Sequence, residues 1–441
     1  MTAPTPAVDP PLGESSGQFR RWVTAAAVLA FLLRVLWGLW VSHPPQGLYD
    51  PARYVGYARA IADGKGMIEP LSGHPTAYYP PGYPWFLGIV TWLGSSFTDN
   101  VALLAAMVQA VLGSLTVVLG ALVGRRIAGR RAGVVAAFAL ALYPNLIFHS
   151  GAVMGETLYN FLFLAFCAVA LAKQWPRDLT GRRMVAAGLL LGLAVMVRPI
   201  SLAVIPVVLF TWWRVQPNRR HLVAHSAMFL AAVIACIVPW TIRNQIRMGG
   251  FVAISTNTGD NLCIGHADGA TGSFGTSDAC VTKYNFLNGP NDEIAADHAK
   301  TDTALKAIVA NPGREPRLIW RRFWFMWVRD GDHDGILAVQ SYRFDRFIGA
   351  PTDTRLAYAA DGAYWMVCIT GVAGAVLLIR RRRPEDLFLV GCAMMTALVP
   401  LAFFGDSRFK VPVIPLLIIL AAALFGDHRR HEVRNEGDAS R

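Results

Sequence analysis

An all-α integral membrane protein of about ten transmembrane helices with two large extracytoplasmic loops is what this sequence predicts, on three observations. The chain is 54% hydrophobic and only 16% charged, where a soluble chain carries roughly 25% charge. Its apolar runs reach or approach the ~20 residues that a helix needs to cross a bilayer. Its positive charge is gathered into the short segments beside those runs.

The runs lie at 22–42, 100–124, 132–150, 154–172, 184–197, 199–213, 223–242, 357–379, 386–404 and 411–426. The pair within 184–213 is interrupted by Arg198-Pro199 and reads either as one long tilted helix or as two short crossings. Clusters at Arg20/Arg21, Arg125/Arg126/Arg130/Arg131, Arg177/Arg182/Arg183, Arg214/Arg219/Arg220, Arg380–Arg383 and Arg429/Arg430 fall at span ends, and positive charge there marks the cytoplasmic side. The clusters alternate consistently if 184–213 crosses twice. A hairpin is therefore preferred, and both termini are expected in the cytoplasm. The net charge of +12 is thus topological, with attraction to anionic headgroups as a by-product, and nucleic acid is not an expected partner. Residues 1–21 read as a disordered cytoplasmic N-terminus and 427–441 as a basic cytoplasmic tail. Between them, 22–426 form one membrane domain whose first run acts as an uncleaved anchor.

Two segments are too long and polar to be turns, 43–99 and 243–356, and the charge pattern puts both outside. In the first, Asp50 and Pro51 suit the N-cap and first position of a helix over 51–62. In the second, partial helical periodicity over 292–310 sets Ile294, Leu305 and Ile308 on one face. The Trp/Phe-rich stretch 316–328, with three arginines, suits a helix lying in the interface. Cys167, Cys236, Cys368 and Cys392 fall within spans and read as small hydrophobes. Cys263 and Cys280 share the second outer loop. A disulfide there would remove roughly 3 kcal/mol of unfolded-chain entropy; two unpaired thiols are the alternative.

The cytoplasmic loops are too short to house an active site, so any chemistry lies outside. Asp50 follows the first span and could deprotonate an acceptor hydroxyl; helix capping is its bland reading. Glu156 stands at the outer end of the fourth span, where it could also snorkel to water. Arg34 lies mid-span, where a charge costs about 2.5–3.5 kcal/mol even on insertion scales, so it should have a carboxylate, phosphate or wet cavity as partner. Arg198 sits at the hairpin tip, open to an ion pair. Arg408 and Lys410 precede the last span and suit a lipid phosphate, the arginine bidentately. Glu69, His74, His266 and Asp260 are the candidate metal ligands. Their spacing has no zinc or EF-hand signature, and a divalent ion stays open.

Taken in order, these motifs resemble the GT-C glycosyltransferases, integral membrane enzymes that use polyprenyl-phosphate sugars. The resemblance is to family-39-like members, similar to protein O-mannosyltransferases and 4-amino-4-deoxyarabinose lipid A transferases. It rests on Asp50 in the first outer loop with the Tyr54/Tyr57/Ala58 pattern and the turn PTAYYPPGYPWFL that contains Tyr79. It rests also on Glu156 in HSGAVMGETLY, the Arg198-Pro199 break, the run Pro239, Trp240, Arg243, Asn244, and the closing Arg408-x-x-x-Pro412. The resemblance implies a short strand after Asn244, then a turn with Asn257, Gly259 and Asn261 whose amides meet a sugar. It implies Asp50 as base with Glu156 facing the same cavity, donor phosphate on Arg408, Lys410 and Arg198, and substrate contacts from Tyr54, Tyr79, Arg243, Asn244 and Asn261. One departure is plain: the acidic neighbour usual after the aspartate is Pro51 here, which weakens metal binding at that point.

The function so implied is inverting transfer of a sugar from a polyprenyl phosphate to a lipid, glycan or protein acceptor at the outer face of the plasma membrane. A flippase for a lipid-linked sugar is the main rival, since buried arginines and broken helices suit substrate pathways. The chain shows no inverted repeat to support it. A non-catalytic assembly partner with the same fold is the third reading.

Overall fold

A computed structural model describes residues 16–47, 49–173, 175, 180–275, 277–331 and 347–426. Of the expected terminal segments, 1–15 and the basic tail 427–441 lie outside the described residues, as do Arg177 and the stretch 332–346 of the second outer loop. All regular structure among the described residues is helical, apart from two isolated bridges, Ile68 with Pro75 and Ser273 with Gly405.

The apolar runs form the bundle. Helix α1 (Ser16–Val41) packs on α4 (Val101–Ala128), which also packs on α5 (Arg130–Leu142) and α7 (Glu156–Leu171). Among the described residues, five helices are long and apolar enough to cross a membrane: most of α1, α4, α10 (Arg219–Met248), α14 (Ala350–Arg381) and Pro384–Ala402, which begins with α15 (Pro384–Leu398). Helix α5 and the short α6 (Pro144–Ser150) are together long and apolar enough as well, with a bend of 54° between them. Glu156–Leu171, Pro199–Val215 and Ile414–Phe425 are shorter apolar helices. The protein is thus an all-α, multi-pass membrane protein.

Prolines explain the breaks. Pro144 has no N–H for the carbonyl of Leu140, and the chain bends at Tyr143. Here Arg34 finds its partners. Its guanidinium donates to the carbonyls of Leu140 at 3.2 Å, Ala141 at 3.3 Å and Ala30 at 3.2 Å. Main-chain oxygens stand where a carboxylate or phosphate was expected, two of them, of Leu140 and Ala141, at the bend. The close approach needs Gly113, where a Cβ would fall 2.5 Å from Arg34 Nε. Likewise α8 (Gly181–Val197) stops before Pro199, with Arg198 extended as a residue preceding proline must be. The chain then runs through a 3-10 turn into α9 (Ile205–Val215), and α8 packs along α10.

Three helices and one irregular stretch differ from expectation. Helix α2 (Asp50–Ala62) starts one residue early: Tyr49 holds the N-cap position, with no side-chain cap, and Asp50 is already helical. After α10 no strand forms, and the expected turn is instead a helix, α11 (Thr258–His266). The glycine and asparagine content that suggested a turn has another cause. A Cβ on Gly259 would lie 2.1 Å from the carbonyl oxygen of Asp297, so glycine is there to let α11 lie against α12 (Pro290–Ala310). The buried face of α12 is Glu293, Ala296 and Ala304, while Leu305 is exposed.

Glu293 explains that face, because its carboxylate ties the two long polar segments, 43–99 and 243–356, together. It accepts from Thr76 Oγ1 at 2.7 Å, the Ala77 amide at 3.0 Å and Thr256 Oγ1 at 2.6 Å. The end of α10 adds a second clasp. Arg243 donates to the carbonyls of Thr76 and Met67, both at 2.9 Å, and lies over the Trp240 ring. Asn244 and Trp240 bond Val252 and Ile254. Helix α3 (Gly82–Gly94) completes the first loop and packs on α2. Helix α13 (Glu315–Trp327) turns Trp320, Phe323 and Trp324 outward, but its Arg322 is buried.

Candidate active site

Two helix N-termini carry the carboxylates. Asp50 opens α2 and Glu156 opens α7, positions where the helix dipole favours negative charge by about 0.3–1 kcal/mol each. The segment before Glu156 is set by Gln109 of α4, whose amide donates to the carbonyls of Ser150 at 3.0 Å and Ala152 at 2.8 Å. Tyr83 of α3 donates to the same amide's oxygen at 3.2 Å.

One guanidinium joins the two carboxylates. Arg408 lies in a 3-10 turn, Ser407–Lys410, capped by Asp406, which accepts from the Arg408 amide at 2.8 Å. Its Nη1 donates to Asp50 Oδ2 at 2.9 Å, and its Nε donates to Glu156 Oε1. Arg198, freed by the break after α8, donates to the same Glu156 oxygen. Tyr79 donates its hydroxyl to Asp50 Oδ1 at 2.5 Å. Burial, then the adjacent Asp50 charge, push this phenol well above its usual pKa, so Tyr79 is a neutral donor. The ring of Tyr54 packs 4.9 Å from that of Tyr79. Two carboxylates and two guanidiniums balance in charge. They differ in access, because the Glu156 side chain is 0% exposed and that of Asp50 is 33%.

The structure therefore brings Asp50, Glu156, Arg198, Arg408, Tyr54 and Tyr79 into one cluster. Lys410 is not in it. In a 3-10 turn, residues two apart are rotated by about 240°, and Lys410 turns inward. Its ammonium donates to the carbonyls of Met326 at 3.1 Å and Arg329 at 2.5 Å and pairs with Asp330 at 3.2 Å. Arg243 and Asn244 spend their polar groups on loop carbonyls, as described above. Asn261 stands in the first turn of α11.

The candidate metal ligands go separate ways. Glu69 accepts from Tyr57 at 2.8 Å and pairs with Arg53 at 3.6 Å. His74 is exposed. His266 contacts the Ala402 carbonyl at 2.8 Å and Glu315 at 2.9 Å. Asp260 accepts from Tyr78 at 2.8 Å and from Lys300. Among the described residues no group of three or more His, Cys, Asp or Glu is placed to hold a metal ion. Cys263 and Cys280 form a disulfide.

Sequence reasoning missed Gln109, Glu293, Arg322 and Asp330. Gln109 left a signal, a lone amide within an apolar run. Segment 243–356 also grips the Arg408 turn in ways that no local pattern announces. Arg322 donates to the Leu401 carbonyl at 3.1 Å, and the Gly405 amide to the Gly272 carbonyl at 2.8 Å.

With this geometry the chain can be compared with known proteins. Residues 78–242 match the family described as dolichyl-phosphate-mannose-protein mannosyltransferase. The archaeal oligosaccharyltransferase AglB from Archaeoglobus fulgidus, solved with an inhibitory peptide and a dolichol-phosphate, superposes with TM-score 0.57 at 16% identity. That match covers 96% of this chain and 52% of AglB. The chain shares the fold of the matched half of that protein. A crystal structure of the Archaeoglobus fulgidus oligosaccharyltransferase with Zn and sulfate matches this chain with TM-score 0.55 at 18% identity, over 92% of this chain and 48% of that one. The chain thus spans about half the length of the oligosaccharyltransferase. ArnT from Cupriavidus metallidurans, bound to undecaprenyl phosphate, matches with TM-score 0.40 at 16% identity, over 93% and 79% of the two chains. No curated protein sequence matches it. As to a metal like the Zn of the oligosaccharyltransferase structure, both carboxylates of this site are paired with guanidiniums, so a cation held by them would have to displace Arg198 or Arg408.

Proposed function

We propose that this protein transfers a sugar from a polyprenyl-phosphate donor to a hydroxyl of a lipid, glycan or protein, with inversion, at the outer face of the plasma membrane. The observation that carries the reading is the Arg408 guanidinium shared between a carboxylate that is partly exposed, Asp50, and a fully buried one, Glu156. Access separates their roles. Asp50 can reach a substrate and takes the proton from the acceptor hydroxyl as its oxygen attacks the anomeric carbon. Glu156 holds Arg198 and Arg408 in place. The bond from the anomeric carbon to the phosphate oxygen breaks, and the departing phosphate carries the electron pair. Its growing charge is met by Arg408, with Arg198 behind it. Tyr79 keeps the Asp50 carboxylate oriented. The phosphate is already a good leaving group, so no general acid is required.

The mannosyltransferase family match over 78–242 and the dolichol-phosphate in the AglB structure support a lipid-phosphate donor. Such a donor also accounts for chemistry outside, where nucleotide sugars are absent. The test supplies membranes carrying wild-type or Asp50→Asn protein, at equal expression, with a panel of radiolabelled polyprenyl-phosphate sugars. Label incorporated by wild type alone is the expected result. Equal incorporation, or none with any donor, removes the catalytic role and makes translocation of a lipid-linked sugar the next assay.

A further inference from the structure

The sequence pairs Lys410 with Arg408 as a phosphate-binding couple, and the structure separates them. We infer that Lys410 is a positioning residue: with Asp330 it forms a buried latch that sets the direction of Arg408 towards Asp50 and Glu156. The inference rests on Arg408 being the group that receives the donor phosphate.

The latch is built at the C-terminal end of α13. A helix leaves its last carbonyls without partners and carries partial negative charge there. The Lys410 ammonium meets that end, donating to Met326 and Arg329. Its charge is matched by Asp330 at 3.2 Å and by the Tyr364 ring, whose centroid is 4.9 Å from Nζ. Both charged side chains are 0% exposed, so Lys410 presents no face to a ligand. Asp330 is held in turn, accepting from Tyr143 Oη at 2.7 Å, at the bend between α5 and α6. The amides of Asp330 and Gly331 donate to Asp361 of α14, at 2.7 and 2.6 Å. Four parts of the molecule therefore converge on one ammonium: the end of α13, the bend of the third span, α14 and the Arg408 turn.

The turn transmits the position. Arg408 and Lys410 belong to the same four-residue 3-10 turn, and hydrogen bonds from Phe409 to Asp406, Val411 to Arg408 and Val413 to Lys410 leave it little freedom. Anchoring one side of so short a turn fixes the other. Without the anchor, Arg408 can swing while remaining folded, and its guanidinium loses its shared registration on the two carboxylates.

The measurement is binding of undecaprenyl phosphate, and of undecaprenol as a lipid without phosphate, to purified protein in nanodiscs. Wild type, Lys410→Met, Arg408→Gln and the double variant are compared. Lys410→Met should weaken undecaprenyl phosphate binding at least about tenfold and leave undecaprenol binding unchanged. In the Arg408→Gln background it should cost nothing further, because coupled residues are non-additive. Lysine truncation leaves Asp330 buried and unpaired, so Lys410→Met/Asp330→Asn, which removes both charges, serves if the single variant does not fold. Lys410→Arg should recover part of the affinity. The inference is overturned if Lys410→Met binds undecaprenyl phosphate like wild type while Arg408→Gln does not. An equal loss in both backgrounds also overturns it, since Lys410 would then act independently of Arg408. If Arg408→Gln itself leaves phosphate binding intact, the proposed role of Arg408 fails and takes the latch with it.

Discussion

At the scale of single residues, the site is a matter of how each charge is used. Asp50 could have been spent on capping its own helix; it is given instead to Tyr79 and Arg408. Removing the Tyr79 hydroxyl tests what that orientation contributes. A hydrogen bond to a charged group is worth about 1.5–3 kcal/mol, so Tyr79→Phe should slow transfer roughly ten- to hundredfold and, because the bond is already made in the resting protein, lower the melting temperature as well. An unchanged rate would mean that Arg408 alone aligns Asp50. Taken singly, a charge beside an apolar run is common in this chain; Asp50, Glu156, Arg198 and Arg408 were legible because they fall in order within the motifs of the family resemblance. Glu293 and Asp330 were not, because a carboxylate inside a polar loop looks like any solvated one. Lys410 misled through its spacing: two residues apart looks adjacent on paper and diverges on a 3-10 turn.

Elements show the same division. Long apolar helices announce themselves, whereas the packing of the outer loops depends on contacts more than 200 residues apart, such as Thr76 with Glu293. That clasp is expected to be sensitive to acidity. Burial raises the Glu293 carboxyl above its usual pKa, against the pull of hydrogen bonds from Thr256, Thr76 and Ala77. The folded protein then holds this proton more tightly than the unfolded chain. Its contribution to stability is full below the ordinary carboxylate value and is lost as pH rises through the raised one. Glu293→Gln should abolish that slope, seen as melting temperature against pH from about 4 to 7. It should also lower stability by about 1–3 kcal/mol, since an amide N–H₂ would face one of the three donors. A slope that survives the substitution would assign it to another group.

Across the whole molecule, the bundle is held partly by charge in unexpected places. Insertion scales count Arg34 as a burden of about 2.5–3.5 kcal/mol. In the folded protein it joins α1 to the bend between α5 and α6, satisfying two carbonyls there. Arg34→Met should therefore lower the melting temperature in detergent, as each orphaned carbonyl costs about 1–3 kcal/mol; a rise would show that the bend satisfies itself. Sequence pattern revealed the span and the misplaced charge but not its partners, because carbonyls released by a distant proline carry no signature. The grip of segment 243–356 on residues 401–410 also bears on how the protein is made. Synthesis delivers Asp50, Glu156 and Arg198 more than 200 residues before Arg408. By then the segment that must receive its turn, with the cysteines that staple it, has already been made. A nascent chain thus holds both carboxylates without their shared guanidinium until residues 401–410 arrive.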